Sequence, residues 1–209
     1  MAPKGLILQC LAQTLHEPLA EHGFKFLKSI YKRNLNGFTQ TIQFQLNRHN
    51  MGHEIVDFWI SNVTTTSKLY QKWKLETFGA DAFDGGVTDY VFGKASWNLP
   101  AWDGDHHFDI GGTANKTQVL DRLKQNVTDA VILFLDSSST WQGLAECIDG
   151  FGEFLPSSVI VDTYYLAGQK DKALQALLDH QAYFIDFKEH VNRDEALTLL
   201  AKKEAVLFK

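Results

Sequence analysis

The chain has 209 residues with 44% hydrophobic and 22% charged content, long enough to bury one sizeable core and carry an appendage. Its formal charge of −5 offers phosphates no general attraction, which disfavours a nucleic-acid or anionic-membrane role. No run approaches the roughly 18 apolar residues of a membrane span. The only cysteines, Cys10 and Cys147, suit buried thiols of a reducing cytoplasm better than a disulfide framework.

In chain order, Met1 to Leu19 reads as an amphipathic helix on Leu6, Cys10, Leu11, Leu15 and Leu19, with Gly23 as its terminating residue and Pro18 bending or dividing it. The apolar run Leu6 to Leu8 is too short for a secretory core, so the segment reads as mature structure. From Phe24 the period changes to two, predicting a strand to about Arg33, a turn at Asn34-Leu35-Asn36-Gly37, and a long strand from Phe38 to Arg48. There Phe38, Ile42, Phe44 and Leu46 alternate with Thr39, Thr41, Gln43, Gln45 and Asn47, giving one buried face and one uncharged amide face. A turn at Asn50-Met51-Gly52 leads to a third strand, Ile55 to Val63, in which Val56, Phe58 and Ile60 face one way and Asp57, Trp59 and Ser61 the other.

Ser67 to Phe78, with Leu69, Tyr70 and Trp73, reads as a short helix or an irregular strand. Gly79 to Pro100 predicts loops and one strand near Asp89 to Trp97. Beyond Lys116 the signal is helical: Asn115 or Thr113 caps a helix bearing Val119, Leu123, Val127, Val131 and Phe134, and Ser137-Ser138-Ser139 caps another starting near Trp141. Gly150 to Pro156 separates a C-terminal section in which Tyr164 to Leu178 forms two helices joined near Gly168 to Asp171.

No catalytic or cofactor motif of high specificity occurs, and no cofactor is called for. The densest polar cluster, Asp103, Asp105, His106, His107 and Asp109, holds residue types used for metal binding or acid–base work, with Asp103, Asp105 and His107 as the metal candidates. Adjacent histidines on an extended segment point to opposite faces, however, and a solvated loop leading into a strand is the simpler reading. His49 and His53 flank a turn and lack acidic partners. Gly111-Gly112-Thr113 before a helix offers a weak phosphate cradle. Lys25, Lys28, Lys32, Arg33 and Arg48 make the first hairpin basic within an acidic chain. Edge protection explains most such lysines, and a docking face for an acidic partner is the sharper reading, with Lys28, Arg33, Gln43, Gln45 and Trp59 as contacts.

The run Glu17-Pro18-Leu19-Ala20-Glu21-His22-Gly23-Phe24-Lys25, with Tyr31-Lys32-Arg33, Gln43-Phe44-Gln45 and Asp57 to Val63, resembles a bacterial family, domain of unknown function 4304. Trp97 to Trp102, the apolar run Ala130 to Leu135 and Leu166 to Ala173 extend the similarity over about residues 5 to 180. No catalytic residues are established for that family, so the resemblance carries none over. Small bacterial proteins of this general type act as immunity or accessory proteins in toxin systems, and that is what the resemblance implies.

These readings predict an α+β fold: an antiparallel sheet of four to five strands over residues 1–150, covered by the first helix and the Lys116 to Leu135 helix, and a helical extension over residues 151–209. The expected function is non-catalytic binding of a toxin-like or host protein in the cytoplasm, with no membrane role. A hydrolase or metal-dependent enzyme using Asp103 to Asp109 is the alternative.

Overall fold

The computed structural model describes residues 2–79, 88–112, 115–152, 158–189 and 191–209. It is an α+β fold whose antiparallel sheet runs β1 (Lys25–Leu27), β2 (Ile30–Leu35), β3 (Phe38–Leu46), β4 (Asp57–Thr66) and β5 (Tyr90–Lys94), with β6 (Phe108–Asp109) also paired to β4. Among the described residues no helix is long and apolar enough to cross a membrane. Cys10 is buried and Cys147 half-buried, both as free thiols.

Two compact units divide the chain. The first comprises residues 1–66 and 93–136, the second residues 67–92 and 137–209. This grouping differs from a division at residue 150, because Tyr70 and Trp73 have their aromatic partners, Trp141 and Tyr165, among the later helices.

In the first unit α1 (Pro3–Glu21) is one continuous helix. Pro18 does not divide it: so near the end, the lost N–H removes one hydrogen bond and only a single turn follows. Gly23, at φ 79°, ends the helix as its spacing predicts, with Phe24 N–H donating to the Leu19 carbonyl. The expected first strand is instead a small hairpin. Lys28 takes a left-handed φ of 63° and turns β1 back onto β2, so that Phe26 lies opposite Tyr31. Asn36 and Gly37, both at positive φ, make the two-residue turn into β3.

One face of the sheet is core. Tyr31, Phe38, Ile42, Phe44, Phe58, Ile60 and Val63 are buried on it, while Gln43 and Gln45 are exposed on the other. A bulge keeps this parity along β4: Gln43 pairs with Asn62 and Phe44 with Ile60, leaving Ser61 extra, its hydroxyl donating to the Gln43 carbonyl. Tyr31 donates to the Leu11 carbonyl and so ties β2 to α1. The second helical segment consists of α3 (Lys116–Asn126), a π-helical stretch (Val127–Ile132) and α4 (Leu133–Ser137), and buries Leu123, Val127, Val131 and Leu135. Asn115 precedes α3 without a side-chain cap bond, and the alternative cap Thr113 lies outside the described residues.

The second unit holds α2 (Lys68–Phe78), α5 (Trp141–Gly150), α6 (Val159–Leu166), α7 (Lys170–Asp186) and α8 (Arg193–Leu207). Ser67 caps α2, settling that segment as helix, and Thr140 caps α5 by accepting from Gly143 N. The serines before Thr140 are therefore not the cap, because only residue 140 stands three positions before the N–H that needs a partner. Parts of the Gly79 to Pro100 loop (80–87) and of the Gly150 to Pro156 separator (153–156) lie outside the described residues. A buried polar network joins α2, α6 and α8: Tyr70 donates to Asp162 Oδ2 at 2.6 Å, and Lys203 Nζ lies 2.8 Å from Asp162 Oδ1.

Burial pushes the Tyr31 phenol up to about 12, and burial together with Asp162 raises Tyr70 well above the ordinary tyrosine value. Raised folded-state values contribute stability that is present below the unfolded value of about 10 and lost above it. Lys203 and Lys74 are lowered, chiefly by burial, so their cost to folding is relieved as pH rises toward the ordinary lysine value. The expected urea-unfolding midpoint therefore holds or rises up to about pH 10 and falls beyond it, with Tyr70→Phe flattening the alkaline fall.

Candidate functional site

The two sets of residues singled out in the sequence, the amide strand face and the acidic loop, meet at one corner of the first unit. On the open face Lys32, Thr41 and Thr64 form one cross-strand row and Ile30, Gln43 and Asn62 the next. Gln45 lies opposite Trp59, and Lys25 lies opposite Lys32 toward the β1 edge. Trp59 is half-buried, and its ring centroid is 5.1 Å from that of His107.

His107 reaches the face because Phe108 pairs with Phe58 on the inner side, which sends the preceding residue to the outer one. Its Nδ1 lies 2.7 Å from Asp57 Oδ2, which also accepts from Asn47 Nδ2 at 2.9 Å. Asp57 shares the outward parity of Trp59 yet is only 7% exposed, because the β3–β4 loop closes over it. Asn50 clamps its backbone from both sides, donating to the Asp57 carbonyl and accepting from the Asp57 N–H. Asp57 Oδ1 is buried with no hydrogen-bond partner.

The chain bends at His106, so the two adjacent imidazoles lie side by side with centroids 4.3 Å apart instead of on opposite faces. His106 Nδ1 is 3.2 Å from Asp105 Oδ1, and its ring is 4.5 Å from that of Trp97. Trp97, His106, His107 and Trp59 therefore form a surface ribbon of four rings, each imidazole backed by a carboxylate. The His107 N–H donates to Asp105 and holds that carboxyl below its usual range, assisted by both imidazoles.

Arg122, from α3, supports the loop by donating to the His107 carbonyl at 2.6 Å, its guanidinium lying over the Phe108 ring. Asn126 does the same at the other end, bonding both the N–H and the carbonyl of Asp103. The Asp103 side chain itself is exposed and outside the ring ribbon. Asp109 accepts from Val56 N and Gly111 N, a structural role at the sheet end. Among the described residues no three His, Cys, Asp or Glu side chains converge as a metal-binding set. The Gly111-Gly112 amides are committed to Asp109 and to the His53 carbonyl, so they offer no phosphate cradle, and Thr113 lies outside the described residues. Gly111 is required for a different reason: a Cβ there would collide with the Glu54 carbonyl and Val56 N.

Two of the expected docking residues belong elsewhere. Arg33 is 5% exposed on the inner face, where Nε donates to Gln40, Nη1 to the His22 carbonyl, and Nη2 pairs with Asp136 at 2.6 Å. It is a core cation, because β2 parity places it beside Tyr31 and not beside Lys32. Lys28 is exposed, but in the β1–β2 turn and not in a strand. Gln40, skipped in the strand pattern, is buried and donates to the Leu135 carbonyl. His49 and His53 are exposed in the β3–β4 loop.

No protein-family model, curated protein or solved structure matches the chain.

Proposed function

We propose that this chain is a non-catalytic binding protein that holds a protein partner against the open face of its sheet, as an immunity-type inhibitor of a bacterial toxin does. The observation that carries this reading is the contrast between the two faces. One is closed by helices; the other presents Gln43, Gln45 and Asn62 exposed around the half-buried Trp59. Adaptable hydrogen-bonding amides around an aromatic anchor are what a protein interface uses, and no cofactor or metal is needed. Lys25 and Lys32 at one edge and the carboxylates of the His107 corner at the other make the face bipolar, suiting a partner whose charges run the opposite way. The resemblance to domain of unknown function 4304, and a cytoplasmic setting, accord with this reading.

The test is capture of the product of a neighbouring toxin-like reading frame. Trp59→Ala is expected to weaken binding by about 2 kcal/mol or more while moving the unfolding midpoint little. Unchanged capture would show that this face is not the interface.

The 2.7 Å bond between His107 and buried Asp57 supports a second reading, an acid–base hydrolase in which Asp57 orients His107 as general base. That reading requires a turnover that His107→Ala abolishes and EDTA leaves intact.

A further inference from the structure

We infer that the ring ribbon at the β4–β6 corner is a seat for an arginine side chain of the docked partner. This rests on the reading of the open face as a protein interface and adds the chemistry of its strongest contact.

The argument starts from what the corner offers. Both imidazoles have Nδ1 against a carboxylate, Asp57 for His107 and Asp105 for His106. A neutral ring that donates from Nδ1 leaves Nε2 as a bare acceptor. Neither Nε2 bonds any described residue, and the side chains are 40% and 41% exposed. The corner's surface thus offers two Nε2 acceptors, the Asp105 carboxylate, and the ring faces and N–H groups of the Trp59 and Trp97 indoles.

Charge selects the same ligand. The carboxylates in contact with the imidazoles are Asp57 from β4 and Asp105 from the loop, while the Arg122 cation that supports the loop is engaged with the His107 carbonyl and Phe108. Asp57 Oδ1 is buried without a donor, so its negative charge is incompletely compensated within the fold. This field repels phosphates and carboxylates and attracts a cation. Among protein cations, arginine combines a plane that stacks on rings with five N–H donors for the imidazole and carboxylate acceptors; an ammonium offers a compact charge without a stacking plane.

The test titrates the protein with arginine amide, lysine amide and citrulline amide at matched ionic strength, following the His106 and His107 ring and the Trp59 and Trp97 indole resonances. At about pH 7.5 arginine amide is expected to give saturable shifts at these four residues, lysine amide several-fold weaker ones and citrulline amide none. Asp105→Asn should weaken the arginine response at neutral pH. Equal responses to arginine and citrulline, equal responses to arginine and lysine, or no saturable shift at the four residues would each overturn the proposal. Failure here with Trp59-dependent partner capture intact removes the arginine seat alone; loss of that dependence removes the interface itself.

Discussion

Asp162→Ala is expected to destabilise the helical unit by about 3–5 kcal/mol, because it leaves a buried ammonium without its carboxylate. Asp162 and Lys203 are 0% and 1% exposed, and the same carboxylate accepts the Tyr70 hydroxyl. The lysine would retain the Ser158 carbonyl, 3.1 Å away, which satisfies one proton and neutralises nothing. Burial already lowers Lys203, and Asp162 is what opposes that lowering. In the variant the lysine should lose its proton more readily, so part of the lost stability should return as pH rises toward the ordinary lysine value. Lys203→Met should cost a similar amount by stranding the carboxylate. The double variant Asp162→Ala with Lys203→Met should be less damaging than the sum of the singles, since it leaves no buried charge unpaired. Urea unfolding of the four proteins decides the matter, and a single-variant loss below about 1 kcal/mol would refute this account of the pair.

Period-two alternation in β3 and β4 was enough to assign the buried face, because a strand with one wet side must segregate its residues that way. The Asn36-Gly37 turn and the Gly23 stop were equally legible, since each needs a backbone conformation that few residues accept. The β1–β2 hairpin was not. Its turn uses Lys28, a residue with no turn signature, and the change of parity between Phe26 and Tyr31, which share a face only when the chain folds back, is the one trace of it in the alternation. Arg33 shows a further limit. Its parity marked it as inward, but its charge argued for the surface, and only the convergence of Gln40, Asp136 and the His22 carbonyl makes the inward position tolerable.

The site divides in the same way. Trp59 and His107 could each be singled out by residue type, yet nothing local says that they touch, because a 50-residue separation between Asp57 and His107 is closed by β6 pairing with β4. The alternation marks Asp57 only as an outward strand residue. The signal that marks it is the pair Asn47 and Asn50 in the loop before it, whose amides bond the Asp57 carboxylate and the Asp57 backbone respectively once the loop folds back.

Phe108→Ala should test that long-range link directly, with an expected loss of about 3–5 kcal/mol. Phe108 is fully buried, stacked on Phe58 with centroids 5.7 Å apart, edge-on to Trp102 at 6.0 Å and covered by the Arg122 guanidinium at 5.1 Å. Truncation removes the buried ring area, the pair interactions and the cation's partner together, leaving a two-residue strand to be held by polar contacts such as Asp109 to Val56 N and Arg122 to the His107 carbonyl. His107 is the neighbouring residue, so its bond to Asp57 should loosen as the strand frays. Phe108→Leu fills most of the space and should cost markedly less, with the His107 ring resonance near its native position. An alanine variant within about 1 kcal/mol of the parent, or one that loses stability while the His107 resonance stays native, would mean that the loop and not β6 places the histidine. The expected result, joint loss of stability and of the His107 environment, would make the strand pair the element that builds the corner.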